Sequence, residues 1–237
     1  MKKNCLYVLL IIAFLLNVGT LFAQDKAYKM TTFAEYGYNS TWQNFGGLAF
    51  TAEIPIKQYF EIDCGVKLFT ANVYAVSGTF RTILQAKKGK FYLEERIIYR
   101  AFARNHINEL SAAFYGGYYH NYFDVGIGTF SQAISVMGYQ NDNMQHRYLV
   151  VPFNLLYNIE VRLKKESSKW NVGLKISNGE IFELERFFSP IYTFKGHFST
   201  SQHIDLQAEM AFKPAGTFHQ ASNFFEFSTR IGLCYKF

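Results

Sequence analysis

Phe225-Glu226-Phe227-Ser228-Thr229-Arg230-Ile231-Gly232-Leu233-Cys234-Tyr235-Lys236-Phe237 closes the sequence, and it alternates without a break. Phe225, Phe227, Thr229, Ile231, Leu233, Tyr235 and Phe237 fall on one side; Glu226, Ser228, Arg230, Gly232, Cys234 and Lys236 fall on the other. Successive side chains of a strand point to opposite faces, so this stretch predicts one long strand with an apolar and a polar face. Chain ends of soluble domains are commonly frayed and polar, whereas here the apolar period runs into the final ring.

The same period recurs upstream. Phe60, Ile62, Cys64, Val66 and Leu68 interleave Glu61, Asp63, Gly65 and Lys67. Leu149, Val151, Phe153, Leu155, Tyr157, Ile159 and Val161 interleave Val150, Pro152, Asn154, Leu156, Asn158 and Glu160. Trp170 to Ser177 and Ile204 to Met210 repeat the pattern. Soluble strands commonly run about five or six residues. The longer of these segments reach the roughly 9–11 residues that a tilted strand needs to cross a bilayer. A soluble sandwich would bury the apolar face, and a transmembrane barrel would turn it to lipid. Strand length and the apolar chain end favour the barrel.

Composition agrees. Of 237 residues, 49% are hydrophobic and 18% charged, which excludes both a disordered chain and a bundle of membrane helices. Aromatics reach 19%, from Phe 25, Tyr 17 and Trp 2, while Pro is only 4. Rings pack well on a pleated surface, and aromatic girdles flank the lipid band of membrane barrels. Phe60, Trp170, Phe225, Tyr235 and Phe237 are the rings expected to face lipid.

The N-terminus reads as a secretory signal. Lys2 and Lys3 are followed by an apolar run from Leu6 to Val18, then by Gly19-Thr20-Leu21-Phe22-Ala23, with cleavage expected before Gln24. The run is too short to span a bilayer as a helix. Residues 1–23 are therefore set apart from a 24–237 body. Cys5 does not sit at the cut, which argues against a lipid anchor. Losing Lys2 and Lys3, and no acid, lowers the formal net charge from +6 to +4. That mild excess has no concentrated basic face of the kind nucleic-acid binding needs. Cys64 and Cys234 fall on opposite predicted faces, so free thiols are expected rather than a disulfide.

A resemblance enters with Arg230, Gly232, Tyr235 and Phe237. Their spacing, polar-x-Gly-x-x-aromatic-x-aromatic, resembles the C-terminal assembly signal of Gram-negative outer-membrane β-barrels. Leu21-Phe22-Ala23-Gln24 and the stretch from Tyr148 to Leu155 are also similar to the broad small-barrel family. The resemblance implies an outer-membrane location, lipid as surroundings, and recognition of the last strand by the barrel-insertion machinery. That family has no single function, so a soluble ligand or protein partner stays unnamed.

The expected architecture is all-β: a transmembrane antiparallel up-and-down barrel. Strands are predicted near 29–39, 44–54, 58–70, 78–86, 91–103, 109–120, 123–134, 145–161, 169–178, 190–198, 203–212 and 223–237. Turns are expected at Pro55-Ile56-Lys57, Lys87-Lys88-Gly89-Lys90 and Arg104-Asn105-His106. Bacterial strand counts are even, and this reading gives about twelve, with ten or eight as alternatives. The segments near 123–134 and 190–198 are weakly patterned, and counting both as loops gives ten.

The polar faces supply the candidate lumen: Glu61, Asp63, Glu94, Glu160, Asp205, Glu209 and Glu226 against Lys67, Arg81, Arg96, Arg100, Arg162, Lys175 and Arg230. A selective pore tends to line its wall with one sign. Mixed signs point instead to paired charges filling the interior, and segregation onto opposite walls would restore the pore.

Catalytic signals are thin. His106, His120, His146, His197, His203 and His219 show no metal spacing, the cysteines form no paired site, and no phosphate loop occurs. No metal or cofactor is expected. Lys175-Ile176-Ser177-Asn178 is similar to the His-x-Ser-Asn motif of outer-membrane lipid A deacylases, but Lys175 stands where that resemblance needs the base. His197-Phe198-Ser199 has the dyad spacing, with Thr200 in place of Asn. Ser177, His197 and Ser199 are thus the only catalytic candidates. The leading expectation is a non-catalytic barrel with a structural or surface-interaction role; a narrow diffusion channel comes next, and a lipid hydrolase last.

Overall fold

In the computed structural model the described residues are 28–39, 43–70, 73–102, 107–140, 143–164, 169–178, 190–214 and 226–237. The expected signal peptide, Phe225 and the turn at Arg104-Asn105-His106 lie outside them. Twelve strands follow in order: β1 (Lys29–Asn39), β2 (Gln43–Lys57), β3 (Phe60–Phe69), β4 (Val73–Ala86), β5 (Gly89–Phe102), β6 (Ile107–His120), β7 (Phe123–Gln140), β8 (Asn143–Lys164), β9 (Trp170–Ser177), β10 (Ile191–Ser199), β11 (Ile204–Lys213) and β12 (Glu226–Lys236). Each pairs antiparallel with its sequence neighbours, and β1 pairs with β12 to close the sheet into a barrel.

The count of twelve follows the alternation, and the two weakly patterned segments are the full strands β7 and β10. Several boundaries differ from expectation. β4 begins at Val73 rather than 78, because Ser77 and Gly78 sit inside the ladder opposite Gly65 and Cys64. β2 runs on through Pro55 to Lys57, with an irregular register there, and the turn falls at Gln58-Tyr59. The single apolar face expected from Leu149 to Val161 does not run through. Phe130 pairs with Asn154 but Gln132 pairs with Val151, so β8 carries one extra residue beside Pro152. Proline has no ladder N–H to give, and a bulge is where a strand tolerates it.

The faces are sorted by polarity. On β12, Ile231, Leu233 and Tyr235 are exposed, while Ser228, Gly232 and Cys234 are buried. Exposed Leu84, Ile97, Ile127, Phe153, Leu163 and Leu174 extend the apolar exterior around the wall. Trp170, Tyr235 and Phe237 are exposed too, and Phe60 stacks on Phe80 with ring centroids 5.7 Å apart. Other rings turn inward. Phe33, Phe45, Phe69, Tyr92 and Tyr115 each occupy space that a side chain on Gly232, Gly37, Gly47, Gly117 or Gly126, respectively, would need. Glycine on the adjoining strand lets these rings lie close to the wall. Cys64 and Cys234 are free thiols.

One end of the barrel carries Tyr28, Phe237 and the turns at Gln58-Tyr59, Lys87-Lys88, Asn121-Tyr122 and 200–203. This is the terminal end, and the opposite mouth is the far end. At the terminal end Phe237 donates its N–H to the Tyr28 carbonyl at 3.0 Å, and the two rings stack at 4.1 Å.

Candidate functional site: the lumen

The inward side chains divide the lumen into a wet half and a dry half. The wet half lies toward the terminal end. It holds a cavity of about 570 Å³ whose lining includes Arg81, Tyr92, Glu94, Asp124, Arg162 and Lys195. A second space of about 260 Å³ adjoins it, sharing Glu160, Arg162 and Lys195 and reaching His197 and Gln207.

Charges in this half are paired both along single strands and between strands. Arg81 on β4 reaches Glu61, Asp63 at 3.1 Å and Glu94 at 2.9 Å. Arg96 joins the same Glu94 at 2.5 Å. Arg162 on β8 bonds Glu160 at 2.5 Å, lies 3.5 Å from Asp124, and stacks over the Tyr119 ring at 4.3 Å. Lys195 closes on Glu160 from β10 at 2.7 Å. Tyr92 donates its hydroxyl to Asp124 at 2.8 Å. The Arg81 and Lys195 side chains keep 27% and 30% of their surface, against 4% for Glu94 and 8% for Glu160, so water reaches the cationic side of these pairs.

The dry half lies toward the far end. Phe45, Phe69, Val73 and Phe102 form a buried cluster with Ile107 packed against it. Beside them Arg100 is 0% exposed and bonded to Glu109, which in turn accepts from the Ser111 hydroxyl at 2.7 Å. On the other wall Glu35, Lys67, Lys213 and Ser228 are buried around a gap of only about 40 Å³, which Glu226 and Arg230 also line. Arg230 bonds Glu209 and lies 5.1 Å above the Phe33 ring. A buried ion needs a partner and further hydrogen bonds to offset its lost hydration; Arg100 has Glu109, and Glu109 has the Ser111 hydroxyl as well.

Each sequence-derived lumen residue has a place. Glu61, Asp63, Arg81, Glu94, Arg96, Glu160, Arg162, Asp205, Glu209 and Arg230 sit in ion pairs on the inner wall. Lys175 lines the wet cavity, and Lys67 and Glu226 line the dry gap. Acids and bases alternate around the wall instead of separating onto opposite sides. Sequence reasoning missed Glu35, Glu53, Glu109, Asp124, Lys195 and Lys213. The signal existed for Lys195: Tyr192, Phe194 and Phe198 alternate with Thr193, Lys195, His197 and Ser199. On β1 the inward Phe33 hid Glu35.

The catalytic candidates are not assembled as a dyad. His197 directs Nε2 at Asp205, 3.0 Å away, and the same carboxylate receives Lys236 at 2.5 Å and the Ser199 hydroxyl. His197 Nε2 and the Ser199 hydroxyl are thus both directed at the Asp205 carboxylate rather than at each other. Ser177 is buried two residues beyond Lys175, with no imidazole on its strand. Asn178 serves the wall: its Oδ1 accepts from the Tyr157 N–H and its Nδ2 donates to the Leu155 carbonyl, both at 2.8 Å. No group of three metal-ligating side chains occurs among the described residues.

Comparison with solved structures finds this fold among membrane barrels. The NanC porin matches with a TM-score of 0.53 at 11% identity, over 87% of this chain and 100% of that one. The KdgM porin matches with a TM-score of 0.52 at 9% identity, over 87% and 99%. The translocator domain of the autotransporter NalP from Neisseria meningitidis gives 0.51 at 12%, over 100% and 98%. At such identities the likeness is one of fold. No protein-family model and no curated protein sequence matches the chain.

Proposed function

We propose that this chain is a non-catalytic barrel of a Gram-negative outer membrane, with its lumen shut toward the cell exterior and open to the periplasm. The observation that carries this reading is the step in burial along the lumen. Part-exposed Arg81 and Lys195 give way to Arg100 at 0% exposure and to the Phe45, Phe69 and Phe102 cluster. A conducting pore needs water-lined passage from end to end. The apolar exterior and strands of ten residues or more on most of the wall support the membrane assignment.

In this arrangement the termini and short turns lie in the periplasm. The far-end connections meet the exterior and carry a structural or surface-interaction role. Arg230, Gly232, Tyr235 and Phe237 are the residues through which the insertion machinery reads the last strand. Cells overproducing the chain test the assignment. It predicts protein in the outer-membrane fraction, heat-dependent gel mobility and unchanged mass spectra of lipid A and phospholipid. A soluble product, or lipids altered in proportion to expression, would refute it.

A narrow diffusion channel is the second reading. The 570 Å³ cavity favours it, since half the lumen already holds water-accessible space. It requires the Arg100 and Phe102 region to open.

A further inference from the structure

We infer that the outward face of β4, β5 and β6 around Glu95 docks a different membrane-embedded chain, one presenting a lysine or arginine at mid-depth. The inference rests on the membrane-spanning reading above.

Glu95 lies on the outward, exposed parity of β5, between exposed Leu93 and Ile97. Among the described outward side chains of the barrel wall it is the one charged group. Its direct cross-strand neighbours are Phe80 on β4 and Phe114 on β6, both exposed. Outward rings mark two belts above and below it. Phe91 pairs with Tyr118 toward the terminal end, with centroids 4.8 Å apart, and Tyr99 pairs with Tyr74 toward the far end at 6.4 Å. Glu95 stands midway between Phe91 and Tyr99, about 13 Å of strand from each at the usual rise per residue. A glutamate side chain is too short to carry its carboxylate that far to an interface, as a long lysine or arginine does by snorkelling. A carboxylate held in hydrocarbon is costly and marks a site with a partner.

The surface beside it is shaped for close approach. Gly78 and Ala112 flank Ile97, and Gly116 flanks Leu93. A side chain added at Gly78 would meet nothing within 4 Å, and one at Gly116 would make only ordinary contact with Leu93 at 3.7 Å and the Tyr92 carbonyl at 3.8 Å. Small residues let another backbone come near. The partner is not a second copy of this barrel. The described outward faces hold no lysine or arginine, and a symmetric contact would set Glu95 against its own image.

Photocrosslinking in cells tests this, with a benzophenone amino acid placed at Ile97 and a control probe at Met210 on β11. The expected result is an adduct at Ile97 between the barrel and one other polypeptide, lost in Glu95→Leu and absent from the Met210 probe. In the purified barrel, Glu95→Leu should raise the temperature of the heat-dependent gel shift, because a charge leaves the lipid face. An adduct of two barrels, no protein adduct, or an adduct indifferent to Glu95→Leu would overturn the inference. Each variant is also fractionated: a soluble chain would sink the membrane reading, whereas an intact membrane barrel without the carboxylate-dependent adduct sinks the docking site alone.

Discussion

The ring of Phe33 on β1 occupies the place of a side chain at Gly232, its direct partner on β12, and Arg230 covers the ring at 5.1 Å. The barrel closes at this seam, so its first and last strands are keyed together by one ring and one missing side chain. A methyl group at Gly232 has to push the ring away. Gly232→Ala should destabilise the barrel by about 1–3 kcal/mol through overpacking. Urea unfolding in lipid vesicles would measure it, and Phe33→Leu combined with Gly232→Ala should recover part of the loss.

Ion pairs in the two halves of the lumen should differ in weight. Arg100 and Glu109 are buried, so Glu109→Ala leaves a guanidinium with its main partner removed and should cost about 3–5 kcal/mol. Lys29 and Glu53 keep 47% and 41% of their side-chain surface, and Lys29→Ala should cost only about 0–1 kcal/mol. The same unfolding assay compares them, and equal effects would contradict the wet and dry division.

Asn178 holds the edge of β8 just beyond the end of β9 with its side-chain amide. Asn178→Ala leaves the Tyr157 N–H and Leu155 carbonyl without those partners, at a cost of about 1–3 kcal/mol. Amide exchange at Tyr157 should quicken in that variant while exchange at Val125 on β7 stays unchanged.

Salt should separate the walls as well. Arg81→Gln removes the cation shared by Glu61, Asp63 and Glu94 in the wet half. Repulsion among those carboxylates should make the variant less stable at low ionic strength, with part of the loss recovered at about 1 M salt, where the screening length falls to about 3 Å. A salt-independent loss would mean that Arg81 acts through packing.

Much of this was legible in the sequence because an apolar exterior imposes a period of two that no other demand interrupts. Phe225 to Phe237, Phe60 to Leu68 and Ile204 to Met210 announced strands for that reason. Elements governed by contact between distant segments were not legible. The inward rings Phe33, Phe45 and Phe69 make sense only beside Gly232, Gly37 and Gly47 on adjoining strands. The bulge at Pro152 shifts a face that reads as continuous from Leu149 to Val161. Glu95 is hidden in the sequence by Glu94: of two adjacent acids on one strand, only the register shows which one faces outward. The step from Arg81 to Arg100 in exposure depends on which side chains converge inside the barrel, and alternation carries no record of that.

The closed lumen is the central claim, and single-channel recording on purified protein in planar bilayers tests it most directly. The chain should show no steady conductance, because the Arg100–Glu109 pair and the Phe45, Phe69 and Phe102 cluster block the far half. Regular ohmic steps of uniform size from the unaltered protein would contradict it and establish the barrel as a channel.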